Sequence, residues 1–257
     1  HYEGIIQDIT EKKNVENELQ KRNEKIKKLH EKATEFENYE SEEKICELVL
    51  DTSEKILDFE VCGIDFVEQG EFVPIVVSSE IEDGFIRRKV EESGISKKAY
   101  REKKSLLVKD RREVDFSRPV VSEYRASITI PMGDFGIYQA LSTEVDAYDE
   151  KDLELAEILV NHATEAINRL RFKKELKSRK KKVERLQKAS AELESCQDEV
   201  DIYSLALVAA EEILDFDICG FDAVEDGNFV VKATSSGVPD EGSIDRPVEE
   251  GGIDRKT

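Results

Sequence analysis

Two segments of the chain share the pattern that decides the fold: residues 56–63 read Ile-Leu-Asp-Phe-Glu-Val-Cys-Gly, and residues 213–220 read Ile-Leu-Asp-Phe-Asp-Ile-Cys-Gly. Extended to residues 56–73 and 213–230, the two copies are identical at 12 of 18 positions without a gap. Their offset of 157 residues is far longer than the ~20–50-residue unit of a solenoid. The repeat therefore indicates a duplicated domain, and we expect one complete copy followed by the first part of a second.

Each copy is preceded by a segment with the heptad spacing of a coiled coil. In the first segment the core positions of the heptads follow one another at alternating intervals of four and three residues. They are apolar except for one arginine: Val15, Leu19, Arg22, Ile26, Leu29, Ala33 and Phe36. The second segment repeats the register at Phe172, Leu176, Arg179, Val183, Leu186 and Leu193. This spacing predicts helical linkers at 10–37 and 171–194, interrupted by an arginine at one core position. We expect the chain to form a homodimer through these linkers.

The residues between the linkers predict an α+β domain. Ser41 and Asp198 occupy equivalent N-cap positions, and each precedes an amphipathic helix. The later pattern predicts, in order, strands at 61–67 and 72–77, a short helix at 94–100, a strand at 105–108, a polar loop at 109–125, a hairpin of 127–132 with 137–143, and a helix capped by Asp149. A mostly antiparallel sheet with flanking helices accommodates this order. Residues 4–9 predict one further short strand.

These elements resemble the GAF domain family in their order and in particular residues. The resemblance depends on residues 56–63, Gly94-Ile95, Val108-Lys109-Asp110, residues 124–132 and residues 147–155. It covers about 38–170 in the first copy and 195–257 in the second. GAF domains bind small ligands in a pocket beside the sheet, or dimerise and relay signals. The resemblance therefore implies a sensory region without catalysis of its own.

The opening residues 4–13, Gly-Ile-Ile-Gln-Asp-Ile-Thr-Glu-Lys-Lys, resemble the last strand of a PAS domain and its exit into a signalling helix. The expected domains are a PAS end at 1–9, a linker at 10–37, a GAF domain at 38–170, a linker at 171–194 and a truncated GAF domain at 195–257. That series is similar to the input half of archaeal sensor histidine kinases, which act in two-component phosphorelay. The alternatives are the input region of a bacterio-opsin-activator-like transcription regulator and a dimerisation spacer that binds no ligand.

Composition limits the partners that the chain is expected to have. The formal net charge of −20 argues against binding to nucleic acid, which needs a basic surface. The basic stretch 171–188 is interpreted as a solvated linker helix. No run of about 18 apolar residues exists that would span a membrane. Four cysteines without a paired motif, in a chain with its own core, favour a reducing cytoplasmic location.

A ligand pocket is predicted from position in the pattern. Its candidate residues are one cysteine that recurs in both copies and four aromatic residues around the long loop: Cys62, Tyr100, Phe116, Tyr124 and Tyr138. Aromatic side chains are typical of ligand pockets, although the same residues could fill the core. The residues identify no cofactor, and the Asn-Lys-Phe-Asp-Glu signature of cyclic-nucleotide GAF domains is absent.

Catalytic and metal-binding interpretations are weaker. Some GAF domains hold haem or a bilin through cysteine, and one branch reduces methionine sulfoxide with cysteines, so Cys62 and its counterpart Cys219 could act in this way. A cysteine on a central strand is more often a buried core residue. His30 lacks the context of a phospho-acceptor histidine, and His162 has no second ligand at a spacing that suits zinc. We therefore expect no catalytic residue and no metal site.

Overall fold

A computed structural model describes residues 2–78, 86–118, 121–235 and 246–247, and for residues 2–11, 14 and 246–247 it describes the backbone alone. The chain divides into two compact units, residues 1–171 and 172–257. Among the described residues, no helix combines the length and apolarity that are needed to cross a membrane.

Apart from residues 4–9 and an additional short strand at Arg88–Lys89, the described helices and strands up to residue 195 follow the predicted order. They are α1 (Tyr2–Glu35), α2 (Glu42–Thr52), β1 (Val61–Glu68), β2 (Glu71–Val77), β3 (Arg88–Lys89), α3 (Gly94–Glu102), β4 (Leu106–Val108), β5 (Ala126–Met132), β6 (Gly136–Ser142) and α4 (Glu150–Ser195). Short 3-10 turns occupy Phe36–Asn38, Val90–Glu92 and Arg111–Glu113, and a π-helical turn at Ser53–Leu57 extends α2.

The six strands form one antiparallel sheet in the order β3-β2-β1-β6-β5-β4. The β1–β2 hairpin turns through Gln69 and Gly70, which both have positive φ, as the tight two-residue hairpin turns require. The register of β1 against β2 shifts between Ile64 and Asp65. An antiparallel sheet with flanking helices confirms the predicted α+β class.

One face of the sheet packs against α1, α2 and α4. Leu29 of α1, Val49 of α2 and Leu159 of α4 are fully buried, and so are Ile64 of β1 and Ile128 of β5. All five belong to one apolar cluster. Apolar residues spaced three or four apart give each helix one buried stripe, and alternate residues of each strand meet that stripe. The main core therefore lies between the sheet and these three helices.

The N-terminus of α4 has the predicted cap. The Asp149 carboxylate accepts hydrogen bonds from the backbone N–H groups of Lys151 at 2.7 Å and Asp152 at 3.0 Å. The Asp152 carboxylate accepts in return from the Asp149 N–H at 3.0 Å, which completes a reciprocal capping box. At the start of α2, Ser41 holds the N-cap position but its side chain makes no capping hydrogen bond.

The prediction of a strand at residues 4–9 is wrong, because these residues belong to α1. A strand needs a neighbouring strand for its backbone hydrogen bonds, whereas a helix satisfies them within itself. In the part of the chain that the structure describes, no strand pairs with residues 4–9. The helical pattern predicted from Thr10 onward therefore extends back to Tyr2.

The second unit contains the end of α4 and then α5 (Glu199–Leu214), β7 (Gly220–Glu225), β8 (Asn228–Thr234) and β9 (Arg246–Pro247). Its described strands form an antiparallel sheet in the order β7-β8-β9. The Asp198 carboxylate caps α5 by accepting a hydrogen bond from the Val200 N–H at 2.9 Å, as predicted. The last residue pairs are Asn228 with Pro247 and Phe229 with Arg246.

The repeated sequence folds into a repeated structure. The β7–β8 pairing has the register of β1–β2, with the shift at the equivalent place, between Phe221 and Asp222. Asp58 and its counterpart Asp215 both take the left-handed conformation that ends the preceding helix. Each aspartate also forms an ion pair with a lysine of the preceding linker helix: Asp58 pairs with Lys25, and Asp215 pairs with Lys182.

Candidate functional site

The face of the sheet opposite α1, α2 and α4, here called the second face, is polar at its centre. Residues of a strand alternate between faces, so Asp65 lies opposite Ile64, and Gln139 lies opposite Tyr138 and Ala140. In β5 the same alternation places Ser127 and Thr129 on the second face. All of these polar side chains are buried, and α3 contacts β5 and β6 above them.

We define the polar cluster by the buried or half-buried polar side chains of this region. Its members are Asp65, Arg88, Ser96, Arg111, Ser127, Thr129 and Gln139. Two apolar groups flank it: Val61, Tyr124 and Leu141 form one, and Phe72, Val90 and Ile137 form the other. A polar centre with apolar borders is typical of small-molecule sites.

Arg88 joins three members of the polar cluster. Its Nη2 atom donates to Asp65 Oδ2 at 2.7 Å and to Gln139 Oε1 at 3.0 Å, and it lies 3.4 Å from Ser96 Oγ. The guanidinium also stacks over the Phe72 ring, 5.1 Å from its centroid. Burial raises the pKa of Asp65, and the charge and hydrogen bond of Arg88 oppose that rise. Arg88 and Asp65 therefore form a buried pair that is neutral overall.

Three atoms of the polar cluster are buried without a hydrogen-bond partner: Asp65 Oδ1, Arg111 Nε and Ser127 Oγ. The Arg111 side chain is the most unusual of the three, because the residue is only 8% exposed and no acidic side chain in the described residues forms an ion pair with it. Burial, and then the positive charge of Arg88, lower the pKa of Arg111 to about 10, so it stays charged at neutral pH. A buried unpaired charge is costly, which is why such groups point to a missing partner.

The backbone around Arg111 is held firmly. Its N–H donates to the Arg125 carbonyl at 2.6 Å, and Asp110 caps the 3-10 turn by accepting from the Arg112 N–H at 3.0 Å. Asp110 also forms an ion pair with the Arg125 guanidinium. The buried position of Arg111 is therefore fixed by the end of β4 and the start of β5.

The loop that follows Arg111 packs on the first residue of α3. Gly94 has a φ of +45°, and a Cβ atom there would lie 2.4 Å from the Phe116 carbonyl oxygen. Only glycine allows this close approach together with a positive φ. The sequence pattern identified Gly94 as the start of the short helix, and the structure shows that it also allows the loop that follows Arg111 to approach this helix closely.

The five residues predicted to line one pocket divide between the two faces. Cys62 and Tyr138 lie on the helix-facing side, where Tyr138 Oη donates to Ser53 Oγ at 2.9 Å and lies 3.2 Å from Cys62 Sγ. Ser53 Oγ in turn donates to the Val49 carbonyl at 2.9 Å. Burial raises the pKa of the Cys62 thiol to about 12 and that of Tyr138 well above its usual value. These two residues form part of the core.

The other three predicted residues lie around the second face. Tyr124 is buried beside Val61, and Tyr100 packs edge to face on Phe72 while its hydroxyl donates to the Asp134 carbonyl at 2.8 Å. Phe116 is 40% exposed, with Lys98 Nζ 4.4 Å from its ring centroid. The structure therefore does not bring the five residues into one site.

Sequence reasoning missed Arg88, Arg111, Asp65 and Ser127. Asp65 and Arg88 did carry a signal, because the repeat places Asp222 and Arg246 at the equivalent positions. Arg111 carried none, since an arginine in a polar loop normally predicts a solvated side chain.

No group of three or more potential metal ligands occurs in the part of the chain that the structure describes. His30 and His162 meet edge to face, with ring centroids 5.3 Å apart, in a groove that Glu37 and Glu165 also line. Two imidazoles alone do not make a structural zinc site, which takes four ligands.

Comparison with known proteins agrees with this architecture. The GAF domain family model matches residues 40–168. The GAF domain of a phosphoenolpyruvate-protein phosphotransferase from Coxiella burnetii superposes with a TM-score of 0.51 at 17% identity, over 58% of this chain and 95% of that one. A free methionine-R-sulfoxide reductase from Neisseria meningitidis has a TM-score of 0.46 at 18% identity, over 55% of this chain and 88% of that one.

At 17% identity, the Coxiella burnetii structure shows a common fold and nothing about ligands. No curated protein matches the sequence. The family match covers half of the chain and coincides with the first sheet and the helices around it. The chain therefore belongs to the GAF domain family, a family of sensory and signalling domains.

Proposed function

We propose that the GAF domain binds a small molecule at the polar cluster and relays its presence to the helices on the other face of the sheet. The supporting observation is the set of buried atoms without partners, Arg111 Nε, Ser127 Oγ and Asp65 Oδ1. Buried polar groups in folded proteins are nearly always hydrogen-bonded, so three in one region suit a site that a ligand completes.

The strands give this proposal a physical route. Gln139 in the polar cluster is flanked along β6 by Tyr138 and Ala140, which are fully buried in the core between sheet and helices. Tyr138 bonds to Ser53 in the π-helical turn after α2, and π-helical turns often mark functional sites. A ligand that moves Gln139 would therefore disturb the packing of α2 and α4, provided that this packing has two alternative arrangements.

Thermal unfolding of the chain against a panel of small carboxylates, phosphates, amines and sugars tests the sensory function. A compound that binds only the folded state raises the midpoint by an amount that grows with its concentration. We expect at least one class to give a saturable rise. No saturable rise with any class would contradict ligand sensing and support the spacer alternative.

The proposal extends to the kind of signalling protein that contains this domain. The resemblance of residues 4–13 to a PAS exit is one of sequence alone, since these residues are helical in the structure. Together with the repeat at 195–257 it supports a PAS end, a signalling helix and tandem GAF domains, as in sensor histidine kinases of two-component systems. The shared β1–β2 and β7–β8 register supports the tandem arrangement. The alternative is the input region of a transcription regulator. We also propose a cytoplasmic location, as expected from the cysteines.

Homodimerisation through the linkers is supported by apolar residues that the described structure leaves exposed. Val15 and Leu19 of α1 are 60% and 56% exposed, although they hold heptad core positions. The later core positions Leu29 and Phe36 are instead buried in the domain, and Arg22 forms an ion pair with Glu154 of α4. The exposed N-terminal half of the α1 seam is therefore the part available to a second copy.

Replacing both Val15 and Leu19 by lysine is expected to convert a dimer at micromolar concentration into a monomer, because charges at the seam cannot be buried. Sedimentation equilibrium measures the mass. The matched control is Asn17→Lys with Gln20→Lys, which adds the same charge at exposed outer positions of the helix. A wild-type chain that is already monomeric, or a double lysine variant that stays dimeric, would contradict dimerisation through α1.

We also propose that the domain has no cysteine-based catalysis. The Cys46 and Cys62 thiols are buried, and burial raises the pKa of each to about 12. At pH 8 only about one such thiol in 10⁴ is a thiolate, the reactive form. Cys196 and Cys219 are half-buried.

We therefore expect two of the four thiols to react with Ellman's reagent before unfolding, and four after it. Absorbance of the released thiolate gives the count, and peptide mass spectrometry assigns the sites. Rapid modification of Cys62 in the folded chain, or methionine sulfoxide turnover that Cys62→Ser abolishes, would revive the reductase alternative.

A further inference from the structure

The second face has an unbalanced charge. The ion pair of Arg88 with Asp65 leaves that part of the polar cluster neutral, and Ser127 contributes a neutral hydroxyl. Arg111 then adds one positive charge in a buried position, with no acidic side chain paired to it in the described residues. The missing partner of the polar cluster must therefore bring about one negative charge.

We propose that the polar cluster binds a small monocarboxylate, held by the Arg111 guanidinium and the Ser127 hydroxyl. This assignment rests on the ligand-sensing function proposed above and names the chemical class of its ligand.

The geometry of the donors favours a carboxylate. A guanidinium presents a planar fork of N–H donors that matches two carboxylate oxygens, and Arg111 Nε still has its hydrogen free. The Ser127 hydroxyl, also without a partner, can donate to the same anion. Ser127 pairs with Val108 across β5 and β4, and the turn that starts at Arg111 is separated from the end of β4 by two residues. The two donors therefore belong to one end of the polar cluster.

The charges of the polar cluster argue against a phosphate dianion. One uncompensated guanidinium balances one negative charge, and the other guanidinium of the polar cluster, Arg88, is already paired with Asp65. A second negative charge would therefore be buried without a cationic partner in the polar cluster, which is costly. A monocarboxylate leaves the polar cluster close to neutral, whereas a dianion gives it a net negative charge.

A ligand-binding role and a purely structural role of Arg111 predict opposite effects of its replacement on the stability of the free domain. Burying the Arg111 charge destabilises the free domain, so Arg111→Met should raise the thermal midpoint in chloride while it removes the response to carboxylate. A structural arginine that stabilises the fold would give a lower midpoint when replaced. The sign of this shift separates the two roles.

The test is a titration of the whole chain with sodium lactate as the probe, with sodium chloride added to keep the ionic strength constant. Calorimetry gives the affinity, and the thermal midpoint gives an independent measure. The variants are Arg111→Gln, Arg111→Lys and Ser127→Ala. Arg112→Gln is the matched control, because Arg112 is the exposed neighbour of the buried residue.

The wild-type chain and Arg112→Gln are expected to bind lactate saturably and equally. Loss of a charge-assisted hydrogen bond weakens binding roughly tenfold or more, so Arg111→Gln should lose at least that much. Arg111→Lys keeps the charge without the fork and should lie between the two. Ser127→Ala should weaken binding by about threefold to tenfold. Inorganic phosphate should bind more weakly than lactate.

Three results would overturn the assignment: lactate with no effect beyond chloride, unchanged affinity in Arg111→Gln, or tighter binding of phosphate. A neutral or cationic compound that binds independently of Arg111 would overturn the carboxylate class and leave ligand sensing intact. If no compound of any class bound, both the carboxylate assignment and ligand sensing would fail.

Discussion

Arg88→Met is expected to lower the free energy of unfolding at pH 7 by about 3–5 kcal/mol, because it leaves the buried Asp65 carboxylate without its partner. The Asp65 side chain is fully buried, and that of Arg88 is 15% exposed. Urea unfolding measures the loss. The matched control is Arg87→Met, whose partner Glu71 is on the surface, and it should change stability by less than about 0.5 kcal/mol.

The loss in Arg88→Met should also depend on pH. Burial already raises the pKa of Asp65 against the influence of Arg88, so removing Arg88 raises it further. In the unfolded chain an aspartate titrates near 3.9, so between that pH and the raised folded pKa the folded state binds the extra proton. The stability that protonated Asp65 contributes to the Arg88→Met variant is therefore present at low pH, and it is lost as the pH rises through the pKa of Asp65 in the folded state. A variant whose stability rises over that window instead would contradict the assignment.

A second variant separates the charge from the packing. Asp65→Asn combined with Arg88→Met removes both charges and should recover most of the stability that Arg88→Met loses. The coupling energy follows from a double-mutant cycle with the two single variants. A coupling near zero would mean that the Asp65–Arg88 pair contributes no interaction in solution.

Gly136→Ala is expected to destabilise the domain by about 3 kcal/mol or more, because a Cβ atom at this position would lie 2.3 Å from the Asp65 carbonyl oxygen. Gly136 pairs with Phe66 where β6 meets β1, and the atom in contact is backbone that cannot rotate away. The strands would have to separate next to Asp65. The same variant should therefore weaken lactate binding as well as stability.

Gly133→Ala is the control for this effect, since it lies in the same hairpin. The atoms nearest to a Cβ added at Gly133 are side-chain atoms at 3.6 Å, so only the φ of +54° at this residue opposes the change. A cost of about 1 kcal/mol is expected for an alanine in the left-handed region. Urea unfolding of both variants gives the comparison. Equal losses in the two variants would contradict the close approach of β6 to β1.

Much of the fold could be predicted from sequence because its cause is local. The heptad and strand periods, and the Asp149 cap, each depend on residues within a few positions of one another, and they appear in α1, the sheet and α4. Residues 4–9 are the exception. Their apolar pattern suits either a strand or a helix, and whether a strand partner lies nearby is not a local property.

The candidate site was harder to predict because its residues come together only through the sheet. Alternation in β5 places Ser127 and Thr129 opposite Ile128 and Ile130, so a polar second face could have been inferred from the sequence. The same alternation puts Cys62 and Tyr138 in the core. The burial of Arg111 is a tertiary feature of the region between β4 and β5, and no sequence pattern near it indicates it.

Amide hydrogen exchange of the whole chain, in sodium lactate and in sodium chloride at equal ionic strength, tests most directly whether the polar cluster is a sensory site. We predict slower exchange in β5 and β6 around Ser127 and Gln139 with lactate, together with a change in α4, and neither effect in Arg111→Gln. Identical exchange in the two salts, or a change confined to residues outside the first unit, would contradict the account.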